Sequence, residues 1–123
     1  MKRILFSITL LLFLWSSREE ARSAHIAQDL AVEIEVVADS SNFLRAHVRV
    51  PEGTNARDLM ERLFKMDYLD AGRKFVVGVA GFKVPPREKK FWRLEVEGVA
   101  SPVGIAEIVI KRPARMRWVM TSY

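Results

Sequence analysis

The sequence predicts an α+β domain in which a mixed sheet of about five strands packs against one main helix. Three observations carry this. Apolar and polar residues alternate with period two in several segments, first in Leu30 to Val37, the pattern of a strand with one buried face. One segment, Ala56 to Phe64, instead repeats its apolar residues at helical spacing. The order is strand, strand, helix, then about three further strands, and right-handed crossover rules leave few ways to close such a chain.

In the first strand Leu30, Val32, Ile34 and Val36 alternate with Ala31, Glu33, Glu35 and Val37. Asp39, Ser40, Ser41 and Asn42 form a turn cluster. The second strand sets Leu44, Ala46, Val48 and Val50 on one side and Arg45, His47 and Arg49 on the other. Glu33 and Glu35 then face these basic residues across a hairpin, a solvated face whose carboxylates need no catalytic explanation. Pro51-Glu52-Gly53 ends the strand. A helix starts at Thr54 or Asn55, both good N-caps, with Asp58 near its positive end. Its apolar stripe is Ala56, Leu59, Met60, Leu63 and Phe64, and Arg57, Glu61, Arg62 and Lys65 face water.

Asp67 to Lys74 reads as a connection, and Phe75 to Phe82 as a short apolar strand in which Gly78 and Gly81 imply a bulge or close backbone approach. Lys83 to Lys90, with Pro85-Pro86, predicts a mobile loop. Phe91 to Glu97 is a strand with Trp92, Leu94 and Val96 inward, turned by Gly98. Ile105 to Ile110 is a short extended piece and Lys111 to Ala114 a turn. Arg115 to Thr121 is the last strand, with Met116, Trp118 and Met120 on one side. A hairpin leading into a helix that crosses a mixed sheet is the β-grasp arrangement.

Residues 1–23 read as a secretory signal and residues 24–123 as one β-grasp-like domain. Lys2 and Arg3 precede the apolar run Ile4 to Trp15, broken only by Ser7 and Thr9. That run fits a signal core and is too short for a membrane span of about 20 residues. Within Ala21-Arg22-Ser23-Ala24, cleavage after Ser23 places small residues at both inspected positions. An uncleaved anchor is the alternative. The expected localisation is extracytoplasmic, periplasmic or secreted, with no stable membrane span after cleavage.

The chain of 123 residues has 20 Lys and Arg against 15 Asp and Glu, a net charge of +5. The signal holds four of the basic and two of the acidic residues, so the remainder carries +3. That excess argues against a nucleic-acid partner. Cysteine is absent, so no lipid anchor and no disulfide is available, and the domain is held by packing alone.

From Val48 to Tyr123 the chain resembles the small β-grasp domain at the C-terminus of transcobalamin and intrinsic factor. The same module occurs in exported bacterial proteins as a domain of unknown function. Val50-Pro51-Glu52-Gly53-Thr54 before a helix with Asp58-Leu59 carries the resemblance, together with Val76-Val77-Gly78-Val79-Ala80-Gly81. Phe91 to Gly98, Pro102-Val103-Gly104-Ile105 and Arg117-Trp118-Val119 complete it. Two places depart from the family pattern: Glu97-Gly98 replaces Asn-Gly, and Arg112-Pro113-Ala114 replaces a Gly-Asp turn. In the cobalamin carriers the domain is a lid over a corrin held mainly by a helical domain. No segment here reads as that helical domain, so the resemblance implies the fold more strongly than cobalamin binding.

Catalytic patterns are missing from the sequence. His25 and His47 stand apart from any nucleophile motif, no ligand spacing for a metal is present, and Gly78 and Gly81 are not a phosphate loop. No cofactor is expected. Trp92 and Trp118 read as core. Exposed aromatics and concentrated charge meet at one place, the loop bounded by Phe82 and Phe91 with Lys83, Arg87, Lys89 and Lys90. Arg112, Arg115 and Arg117 are expected to extend that basic surface. The implied function is an exported, non-catalytic module binding a small molecule or an envelope protein through this loop, whose bland alternative is a solvated hairpin loop. The first rival is an assembly subunit of an envelope complex pairing through a sheet edge, and the second an enzyme whose site the sequence does not display.

Overall fold

The computed structural model describes residues 29–123; the expected signal, its cleavage point and His25 lie outside them. The main sheet has five strands: β1 (Asp29–Val37), β2 (Phe43–Pro51), β7 (Lys90–Val96), β8 (Val99–Ala100) and β10 (Ala114–Ser122). Their order is β2-β1-β10-β7-β8. β1 runs parallel to β10 and antiparallel to β2, and β10 runs antiparallel to β7. The fold is therefore α+β with a mixed five-stranded sheet and, among the described residues, one α-helix.

That helix, α1 (Ala56–Leu63), follows the two-residue strand β3 (Thr54–Asn55). Asn55 is its N-cap, accepting from the backbone N–H groups of Arg57 and Asp58 at 3.0 and 3.2 Å. The same side chain donates to the Ala106 carbonyl at 2.9 Å. One residue thus caps the helix and ties it to a short 3-10 turn at Ile105–Glu107. Ala56, Leu59 and Met60 are buried as the helical stripe requires, whereas Leu63 is exposed. The core lies between α1 and the inner sheet face, where Val32, Ile34 and Val36 meet Trp92, Leu94, Met116 and Trp118.

Three segments differ from the expectations. Asp67 to Lys74 is not wholly a connection, because Met66–Tyr68 forms strand β4, paired with β5 (Val76–Val79). Tertiary pairing, not local propensity, makes β4 a strand. The apolar run after Lys74 is not one strand either. Ala80 and Gly81 both take positive φ, 55° and 85°, the two-residue hairpin turn that reverses β5 into β6 (Phe82–Lys83). Gly78 is the close approach: a Cβ there would stand 2.6 Å from Asp67 Oδ2. Finally, Ile105 to Ile110 divides into the 3-10 turn and β9 (Val109–Ile110), which pairs with β3.

Candidate functional site

The loop between β6 and β7 folds back on its own domain. The Trp92 indole N–H donates to the Phe82 carbonyl at 3.2 Å, so β7 is stitched to the strand that precedes the loop. Phe82 is half-buried and packs against the core. Phe91 is 41% exposed and lies 6.0 Å from the Tyr123 ring in a tilted pair. Lys83 lies 3.9 Å from Asp67 and Lys90 lies 2.8 Å from Glu88. Arg87 and Lys89 are exposed and form no ion pair among the described residues. The six residues therefore do not converge on one pocket: Phe91 faces outward, Phe82 inward, and the cations spread along the loop.

Arg115 and Arg117 do not extend the basic loop. The antiparallel register sets Arg117 opposite Glu95 and Ser122 opposite Lys90, at opposite ends of the β7–β10 pair. Five residues of strand separate the two clusters by roughly 17 Å. Arg117 instead joins a ladder across the outer sheet face. It contacts Glu35 at 3.8 Å and Glu95 at 3.3 Å, while Arg93 contacts Glu95 and Arg45 contacts Glu35. Arg115 lies 3.6 Å from Glu33. These pairs are half-exposed and individually weak. A shallow depression of about 670 Å³ opens on this face, lined by Glu33, His47, Arg49, Glu97 and Arg115 among others.

A second hollow has a different character. A groove of about 530 Å³ runs beside β7, walled by Lys74, Phe75 and Val76 opposite Phe91, Trp92, Arg93 and Leu94, and reaching Val103, Ile105 and Trp118. Why β7 is open here follows from pairing. β8 pairs only with Glu95 and Val96, and Ser101 N–H adds one bond to the Leu94 carbonyl. Beyond Ser101 the chain turns away, and among the described residues Phe91 to Arg93 have no strand on that side. Phe75, 65% exposed, supplies an aromatic to the opposite rim. The Trp118 indole N–H, sealed beneath, has no hydrogen-bond partner among the described residues. Of the groove residues, Phe91 belonged to the expected site and Trp92 and Trp118 to the expected core. Lys74, Phe75 and Val103 lie outside the expected site, since they come from segments far apart in the chain.

The perturbed groups lie elsewhere. Tyr68 is pushed up to about 12 by burial and by its hydrogen bond to Glu61. Glu61 in turn receives Arg73 at 2.8 Å, so the cluster pins the β4–β5 loop to α1. Asp39 is lowered by the Asn42 side chain, and Asp70 by the Phe75 backbone N–H; both close turns. Among the described residues no three His, Cys, Asp or Glu gather as metal ligands, and no helix is long and apolar enough to cross a membrane.

No protein-family model matches the chain, and no curated protein matches it. Solved structures do. One is haptocorrin in complex with Cbi, at 15% identity and a TM-score of 0.63, over 77% of this chain and 25% of that one. The chain thus spans a quarter of haptocorrin's length. Another is "a putative metal binding protein from Ruminococcus gnavus ATCC 29149", at 8% identity and a TM-score of 0.62, over 76% of this chain and 98% of that one. At these identities the likeness is one of fold.

Proposed function

We propose that this chain is a non-catalytic, extracytoplasmic binding module of β-grasp fold, and that it takes its ligand in the groove beside β7. The strand order, with a parallel central pair flanked by antiparallel strands and one helix, supports the β-grasp assignment. The observation that carries the binding reading is the groove itself. Apolar walls containing Phe75, Phe91, Trp92 and Trp118 are joined to cationic rims at Lys74 and Arg93. Ligand sites are concave, mostly apolar and marked by a few polar groups, and this one suits a flat, apolar molecule bearing negative charge. The loop cations Lys83, Arg87, Lys89 and Lys90 do not line the groove; they would add a longer-range attraction for an anion.

The absence of chemistry belongs to the same proposal. Catalytic groups are tuned where they act, whereas the tuned groups here are Tyr68, Asp39 and Asp70, none of which lines the groove. Haptocorrin's complex with Cbi makes a corrinoid one candidate ligand; it rests on fold likeness alone.

Anilinonaphthalene sulfonate, flat and anionic, is a suitable probe. Its fluorescence titration is expected to weaken about tenfold in a Phe75→Ala, Phe91→Ala variant, as losing two aromatic contacts implies. The Lys83→Glu, Arg87→Glu, Lys89→Glu variant should weaken it in a salt-dependent way. Unchanged affinity in the first variant refutes the groove, and in the second refutes the loop's part. Displacement of the probe by cobalamin would establish the corrinoid reading.

A further inference from the structure

The opposite edge of the sheet is built differently. Among the described residues β2 is its outermost strand, nine residues long and paired on one side only. Its register with β1 runs without a break from Asp29–Pro51 to Val37–Phe43, so no bulge blunts the edge. Proline stands only at its end. Such an edge is a template for another strand unless something prevents it.

Hydrogen-bond parity shows which groups are offered. The Ala38 N–H donates to the Asn42 carbonyl at 2.9 Å at the hairpin's end. Bonded and non-bonded pairs alternate from there. Leu44, Ala46, Val48 and Val50 therefore bond to β1, and the backbone groups of Phe43, Arg45, His47 and Arg49 point outward. Pro51 falls in this outward set, where its missing N–H costs the β1 ladder nothing.

The side chains specify what fits. Arg45, His47 and Arg49 are exposed on one face, and Phe43 to Pro51 contains no acidic residue. A second β2 laid alongside would set these basic groups against one another, and like charges in cross-strand pairs repel. β1 shows the opposite solution: Glu33 sits opposite His47, and Glu35 opposite Arg45. Arg49 faces only Ala31 across that pair, and Arg45 lies 3.9 Å from Glu35, so positive charge is left to serve another strand. On the inner face Leu44, Ala46 and Val48 are only half-buried and would be covered by apolar neighbours.

We infer that the free edge of β2 docks an extended segment of a partner protein in which acidic residues alternate with apolar ones. It adds as a sixth strand, its acids toward Arg45, His47 and Arg49 and its apolar residues toward Leu44, Ala46 and Val48. Main-chain bonds supply affinity and the alternating side chains supply selectivity. This surface is distinct from the β7 groove and stands whether or not that groove binds a ligand.

End-blocked Val-Glu-Val-Glu-Val-Glu-Val is the probe, titrated calorimetrically into the full-length chain with amide exchange followed by NMR. It is expected to bind and to slow exchange at Phe43, Arg45, His47 and Arg49. The same peptide with Lys for Glu should fail to bind. N-methylation of alternate peptide bonds should weaken binding about tenfold or more. The Arg45→Gln, Arg49→Gln variant should lose binding while leaving the anilinonaphthalene sulfonate titration unchanged. The inference is overturned if the glutamyl peptide does not bind or if N-methylation leaves its affinity intact. It is equally overturned if protection appears at Phe91 to Leu94 instead of β2.

Discussion

Trp92 and Trp118 occupy the same inward face on neighbouring strands, yet their indole groups differ in one hydrogen bond. Trp92 donates to the Phe82 carbonyl, while Trp118, 2% exposed, has an N–H with no partner among the described residues. A buried donor without a partner costs about 1–3 kcal/mol, whereas a satisfied one contributes about 1 kcal/mol. Trp118→Phe removes the orphan, offsetting part of the loss of volume. Trp92→Phe loses volume and bond together. In urea unfolding, Trp92→Phe is therefore expected to cost about 1–2 kcal/mol more than Trp118→Phe. Equal losses would refute the assignment. The two rings were legible in the sequence as core from their alternation; the difference between them was not, since it depends on where the Phe82 carbonyl arrives.

Among the elements, the β4–β5 pair shows most clearly how context made structure. Gly78 is a glycine because Asp67 passes over it, and a methyl group there would meet the Asp67 side chain. Gly78→Ala is expected to destabilise by about 1–3 kcal/mol, as overpacking does. Combined with Asp67→Gly, thermal unfolding should show a loss smaller than the sum of the two single changes; full additivity would exclude the contact. The close approach at Gly78 was legible in the sequence, but its partner strand was not, because Met66-Asp67-Tyr68 is too short to show a period. The first hairpin and the helix were legible nearly to the residue, since alternation, cap and stripe agree there. The groove was hidden because its walls are assembled from residues 74–76, 91–94 and 101–105. Only the sheet register, and the early end of β8, bring these segments together.

For the molecule as a whole, two surface turns are expected to contribute to the acid limb of stability. Asp39 and Asp70 are held below the ordinary carboxylate value of 3.8, chiefly by the Asn42 side chain and the Phe75 N–H respectively. The unfolded chain therefore takes up these protons first. Their contribution is complete above pH 4 and is lost as pH falls through the folded values. The Asp39→Asn, Asp70→Asn double variant is expected to flatten the fall of the urea midpoint between pH 5 and pH 2. An unaltered slope would place the acid sensitivity elsewhere.

The parallel pairing of β1 with β10 sets the order in which this molecule can be made. Val32 neighbours Ala114 and Val37 neighbours Val119, so the centre of the sheet joins the first described strand to the last. The hairpin β1–β2 and the cap of α1 are local and can form early. Until β10 pairs, however, β1 has one edge of its ladder open, and β7 is held only by its short pairing with β8 and the Trp92–Phe82 bond. Without β10 the β1–β2 hairpin and the β7–β8 pair are not joined into one sheet for α1 to cover. Closure of so long a loop makes this pairing slow relative to the local ones, and the core is complete only once β1 and β10 have met.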